Sequence, residues 1–249
     1  MGRMGDGYGS EFHLLRYLGY HRHALNRAVE ETTGGRVSEW LDFAFGDEGK
    51  LDREWRGVDF LDSASDVKSD WLKFWPQSGN VPNWDAVGRL ELSADVEYLL
   101  VEAKAHVEEL QSSCSAKETK NKGELGEIRD TRKATKEGGL DKIKDALKAT
   151  IKGNGLAADV DRWLRPYYQY ANRLAHLHFL TEHRIPARLV FIYFCGDDWG
   201  GKTLSNGRSP ICPKAANGWA APLERIHNRL GLSGQSKLEE RVHKLFLHV

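Results

Sequence analysis

The chain has 249 residues, 40% of them hydrophobic and 29% charged, and its 36 basic side chains are balanced by 36 acidic ones. These are the proportions of an ordinary globular chain long enough for one large core, and no apolar run approaches the roughly 18 to 20 residues of a membrane span. A formal net charge of zero argues neither for nor against a polyanionic partner, but it requires that any nucleic-acid-binding surface be a segregated positive face.

The opening residues, MGRMGDGYGSEF, contain no apolar h-region, so a secretory signal is not expected. Three widely spaced cysteines (Cys114, Cys195 and Cys212) without a CxxC pair fit free thiols in a reducing, cytoplasmic setting better than a disulfide framework or a zinc site. With no internal repeat and no composition break, residues 1–249 read as a single domain.

In chain order, the first periodic segment is a helix from Ser10 to about Glu31. It carries a stripe of Leu18, Leu25 and Val29 flanked by Leu14 and Leu15, with Ser10 as N-cap and Gly34-Gly35 closing it. Glu11, seven residues before Leu18, falls at the head of the inward stripe. Residues 36–80 are rich in aromatics and broken by Gly and Asp, and read as short strands and packed loops.

Two strands follow, Asn83–Leu92 and Glu97–Ala105, joined by a turn over residues 93–96. The run Tyr98-Leu99-Leu100-Val101 is apolar on both faces, as in a strand covered on both sides. Residues 112–152 are polar, and a mobile polar insertion is expected at about 112–139. Leu140, Ile143, Leu147 and Ile151 then mark a short amphipathic helix. A second strong helix spans Val160–His183 with a kink or restart at Pro166, and Arg188–Phe194 is a buried strand. A short helix at 221–230 and a closing strand at 242–249 complete the chain.

The hairpin carries the chemistry. Residues two apart on a strand share a face, so Glu102 and Lys104 point the same way. A turn centred near Ala94-Asp95 sets Asp85 opposite Lys104 and Val87 opposite Glu102, with cross-strand neighbours about 5 Å apart. Two carboxylates that close in an apolar sheet repel unless a proton or cation lies between them. Magnesium suits such oxygen donors, and manganese is its substitute; a water beside the metal can attack a phosphodiester. Lys104 is suited to orient or deprotonate that water, or to stabilise the transition state.

In these residues the sequence resembles the PD-(D/E)XK nuclease superfamily. The order is a helix with Glu11, Asp85 on a hairpin, Glu102-Ala103-Lys104 on the next strand, then a helix and another strand. Pro82 precedes Asp85 by three positions, so the family's Pro-Asp pair is spread apart. The resemblance implies an α/β fold, a mixed central sheet flanked by helices with a restriction-endonuclease-like core (αβββαβ).

It also implies that Asp85 and Glu102 bind metal, that Lys104 is the catalytic lysine and that Glu11 joins as an outer metal ligand. Some branches place a Gln near the site on the helix after the ExK strand, which singles out Gln169. The expected function is a magnesium- or manganese-dependent nuclease, acting on DNA in bacterial or phage defence or DNA processing. A catalytically inactive binding module of the same fold is the alternative. Many such folds work as dimers, which leaves a homodimer open.

Each residue has a plainer reading. Glu102 and Lys104 can be a solvent-facing pair at a strand end, Asp85 a turn residue, Glu11 a carboxylate favoured by a helix dipole, and Gln169 a satisfied packing residue. Nucleic-acid contacts are expected from Lys120 and Lys122 in the basic stretch after the strand, and from Arg173 on the later helix, for which a surface charge is the plain alternative. Asp197-Asp198 reads as a turn pair.

Overall fold

The computed structural model describes residues 7–45, 52–61, 65–77, 81–93, 95–117 and 139–249. The first periodic segment forms two helices, α1 (Gly9–Gly19) and α2 (Arg22–Thr33), where one was expected. Gly19 favours a break there, and the Arg22 side chain donates to Leu18 O at 2.7 Å, satisfying a carbonyl that the interrupted helix leaves open. Ser10 is not the N-cap: Tyr8 holds that position without a side-chain bond. Gly34 closes α2 in the left-handed conformation (φ 74°), as expected of a terminal glycine.

Residues 36–80 include strand β1 (Arg36–Leu41), a two-residue strand β2 (Trp55–Arg56) and helix α3 (Ser65–Phe74). That helix was not expected, because the aromatics that hide its periodicity are the ones it buries: Trp71 is 3% exposed and Trp75, just beyond the helix, 0%. The expected 83–92 strand is split into β3 (Asn83–Trp84), paired with β2, and β4 (Ala86–Glu91), with Asp85 between them. Strand β5 (Val96–Lys104) follows.

Helices α4 (Gly139–Gly153), α5 (Val160–Leu164) and α6 (Tyr168–Glu182) then lead into β6 (Ala187–Cys195), and α7 (Ala216–Leu230) into β7 (Val242–His248). Pro166 separates α5 from α6, as a residue without an N–H should.

The five main strands lie in the order β1-β4-β5-β6-β7. The first two pairings are antiparallel and the last two parallel. The molecule is therefore an α/β protein with a mixed sheet covered by helices on both faces. On β5, Leu99, Val101 and Ala103, with Ala105 just beyond it, join the core under α1 and α2. Leu100 joins the opposite core, with residues of α4, α6 and α7. Leu99, Leu100 and Val101 are thus fully buried on alternate faces, which accounts for the continuous apolar run.

Residues 112–114, assigned to the start of the polar insertion, are tied down: Ser112 N donates to Pro166 O at 2.6 Å and Cys114 N to Leu164 O at 2.9 Å. Residues 118–138 of that insertion lie outside the described residues. The three cysteines are free thiols. Among the described residues no helix is long and apolar enough to cross a membrane.

Gly88 lets β1 approach β4: a Cβ there would lie 2.8 Å from Glu39 O and 3.3 Å from the Trp40 ring. Gly88→Ala is expected to lower stability by about 1–3 kcal/mol through overpacking, read as a lower midpoint in equilibrium denaturation.

Candidate active site

Strand register sets the geometry. Ala86 pairs with Val101 and Val87 with Leu100, and Asp85 N donates to Val101 O at 3.1 Å. Asp85 thus stands level with Glu102 and not, as expected, with Lys104. The correction comes from the turn, which closes one residue early: Leu92 and Asp95 exchange backbone hydrogen bonds. A register change of two residues preserves the face, because side chains alternate with period two. Asp85, Glu102 and Lys104 still share one side.

At Asp85 the sheet forks. The chain leaves β4 for the small β2–β3 ribbon while β5 and β6 continue paired as far as Lys104 and Tyr193. Ala103 N–H then lacks a β4 carbonyl, and the Asp85 carboxylate accepts it at 2.7 Å. Burial, and after it the Glu102 charge, pushes the Asp85 carboxyl up to about 8; Lys104, the Ala103 N–H and Arg173 oppose the rise.

Glu102 is 1% exposed. Its Oε1 accepts a hydrogen bond from Lys104 Nζ, and its Oε2 accepts one from Arg173 Nε at 2.7 Å. Burial favours the neutral acid, but Arg173 and then Lys104 outweigh it and hold Glu102 below the usual carboxylate range. Burial also opposes charge on Lys104, yet Glu102, Asp85 and Glu109 raise it above an ordinary lysine. The plain reading of Glu102 and Lys104 as a solvent-facing pair is excluded by their burial.

A cleft of about 610 Å³ gathers the side chains singled out from sequence: Glu11, Asp85, Glu102, Lys104 and Gln169 all line it. Glu11 is exposed and not inward-facing; it sits on the rim, above the buried Leu14 and Leu15. Its helix is held in place at the N-terminus. Asp197, 3% exposed, accepts Gly9 N at 2.8 Å, and Glu109 accepts both Ser10 Oγ at 3.3 Å and Ala105 N at 2.7 Å. Asp197 is therefore an anchor for α1 as well as a turn residue. Gln169 is half-buried at the start of α6, its backbone N–H bonded to Ser112 Oγ at 2.7 Å.

A second cleft of about 650 Å³ shares Glu54, Asn83, Asp85 and Gln169 with the first and extends along Arg56, Ser112, Ser113 and Ser115, with the buried Asn172 and Arg173 also lining it. The residues from 52 to 56 carried no sequence signal of a site; only the fold brings them to the cleft. Arg173, expected at a phosphate or on the surface, is 3% exposed and bound to Glu102. Lys120 and Lys122 lie outside the described residues.

Among the described residues no three His, Cys, Asp or Glu side chains stand ready as a metal cluster. Glu102 is turned to its cations, Asp85 to Ala103 N–H, and Glu11 to solvent. The donors that converge on the cleft are nonetheless hard oxygens, a set that suits magnesium or manganese. No family model, curated protein or solved structure matches the chain.

The Asp85 shift has a measurable consequence. Its carboxyl loses the proton near 3.8 when unfolded and at about 8 when folded, so between those values the folded state binds more protons. Stability without divalent metal should then fall as pH rises through that window. Asp85→Asn, which keeps an acceptor for Ala103 N–H, should flatten the decline in melting temperature from pH 4 to 8. An equal decline in both proteins would refute the shift.

Proposed function

We propose that this protein is a metal-dependent nuclease of the PD-(D/E)XK type, built on a restriction-endonuclease-like core, that hydrolyses phosphodiester bonds, with DNA the first substrate to test. The observation that carries the reading is the convergence of Asp85, Glu102 and Lys104 on one face at the sheet fork, in a cleft that Glu11 and Gln169 also line. A buried carboxylate pair with a buried ammonium is costly to maintain in a core. A perturbed charge cluster in a cleft is a common mark of a functional site.

Asp85 and Glu102 would hold magnesium or manganese, with Glu11 reaching in from the rim as an outer ligand. When bound, the ion supplies positive charge that offsets the charge developing on the phosphate. Glu102 is ready for this role, since Arg173 and Lys104 keep it ionised. Asp85 gives up its proton to become a ligand, which favours activity at neutral to alkaline pH.

Lys104, kept protonated by Glu102, Asp85 and Glu109, acts as a cation: it orients the attacking water and stabilises the transition state by hydrogen bonding. Gln169, on the cleft wall, offers an amide to the water or to a phosphate oxygen. The serine-lined second cleft continues the path of the strand.

The test is incubation of plasmid, single-stranded DNA and RNA with magnesium or manganese. Wild type should give metal-dependent products, while Asp85→Asn, Glu102→Gln and Lys104→Ala should each lose about a hundredfold or more in rate. Binding of nucleic acid without products under either metal would favour the inactive module of the same fold.

A further inference from the structure

We infer that Arg173 is a positioning residue, which holds Glu102 and the Asp85 segment in working geometry and does not bind the substrate phosphate. The inference rests on the nuclease reading above. Arg173 is 3% exposed, and its three nitrogens are anchored on three elements, with Nε and one terminal nitrogen both within 2.7 Å of Glu102 Oε2. Nε donates to Glu102 Oε2 on β5 at 2.7 Å. One terminal nitrogen donates to Asn172 Oδ1 on α6 at 2.8 Å. The other donates to the backbone carbonyl of Asn83 on β3 at 2.5 Å. Its face lies 5.1 Å from the Trp84 ring centroid.

Asn83 comes two residues before Asp85, so this one group joins the segment that carries Asp85 to the strand that carries Glu102. A planar guanidinium can do so because its donors diverge in a rigid fork, whereas an ammonium is a point charge on a flexible stem. The two oxygens of Glu102 therefore have unlike neighbours. Oε2 is fixed by a fork that three elements and an indole hold in place. Oε1 is met by Lys104, whose flexible chain lines the 610 Å³ cleft. Glu102 would then hold a metal ion through the oxygen that Lys104 meets, while Oε2 keeps the carboxylate oriented.

The test uses the full chain with Arg173→Lys and Arg173→Met, a labelled oligonucleotide, and magnesium or manganese. Arg173→Met should lower kcat about 10- to 100-fold, the usual effect of losing a group that orients a metal ligand. KM for the oligonucleotide and the salt dependence of binding should stay unchanged. Arg173→Lys should recover part of the loss, since one ammonium reaches Glu102 but not Asn172 and Asn83 together.

Manganese binding without nucleic acid, followed by electron paramagnetic resonance, should weaken in the same order. Circular dichroism melts verify folding, and Arg173→Lys decides if Arg173→Met does not fold. A raised KM with a salt slope shallower by about one would assign Arg173 to a phosphate and overturn the inference. Unchanged kcat and unchanged manganese binding would also overturn it. A wild type that neither cleaves nucleic acid nor binds manganese would instead remove the nuclease reading, and this role with it.

Discussion

Carrying Glu102 and Lys104 into the middle of a covered sheet imposes a strict electrostatic demand. Ions taken out of water must meet opposite charge and hydrogen-bonding partners, or their desolvation is uncompensated. The last residues of β5 keep to the face that Leu100 buries, where Leu100 is fully buried and Glu102 is 1% exposed. Arg173 from α6 and Lys104 from β5 answer Glu102 on its two oxygens, and Asp85 lies close enough to act on both Glu102 and Lys104. The ionised Glu102, the Asp85 carboxyl that holds its proton up to about 8, and two cations thus form one compact cluster. The helix that supplies Arg173 has to run deep, and α6 is buried along nearly its whole length.

The cluster opens to solvent because the sheet does not continue there. Where β4 ends, β5 and β6 still pair, and the chain turns away into the β2–β3 ribbon. Asp85 stands at that departure and answers the Ala103 N–H that its strand has left. The ribbon also brings the segment from Asp52 to Arg56 to the cleft walls. On the far side, Asp197 at the end of β6 and Glu109 just after β5 hold the start of α1, and with it Glu11. A backbone discontinuity and two buried or half-buried acids therefore position a cleft whose walls come from both faces of the sheet.

Several parts of this arrangement were legible in the residues. The run Tyr98-Leu99-Leu100-Val101 announced a strand covered on both sides, and period-two alternation required Glu102 and Lys104 to share a face. The 140, 143, 147 and 151 spacing marked α4, Pro166 marked the restart before α6, and Arg188–Phe194 marked β6. Other parts were hidden. α3 packs Trp71 and Phe74 against Phe179 of α6, but Leu72 between them is exposed among its polar residues, which blurs the helical period. The 93–96 turn left the register free by two residues, since both settings bury the same side chains.

Local chemistry by itself determined which side chains share a face on β5, that the strand is covered on both faces, and that two acids and one amine could come together. Only the tertiary structure decided that Asp85 lies level with Glu102, that Glu11 sits on a rim, and that Arg173, 71 residues from Glu102, is its buried counter-ion and not a surface charge. The reason is physical: alternation and helical period act over a few residues, whereas the partner of a buried charge is chosen by how distant elements pack.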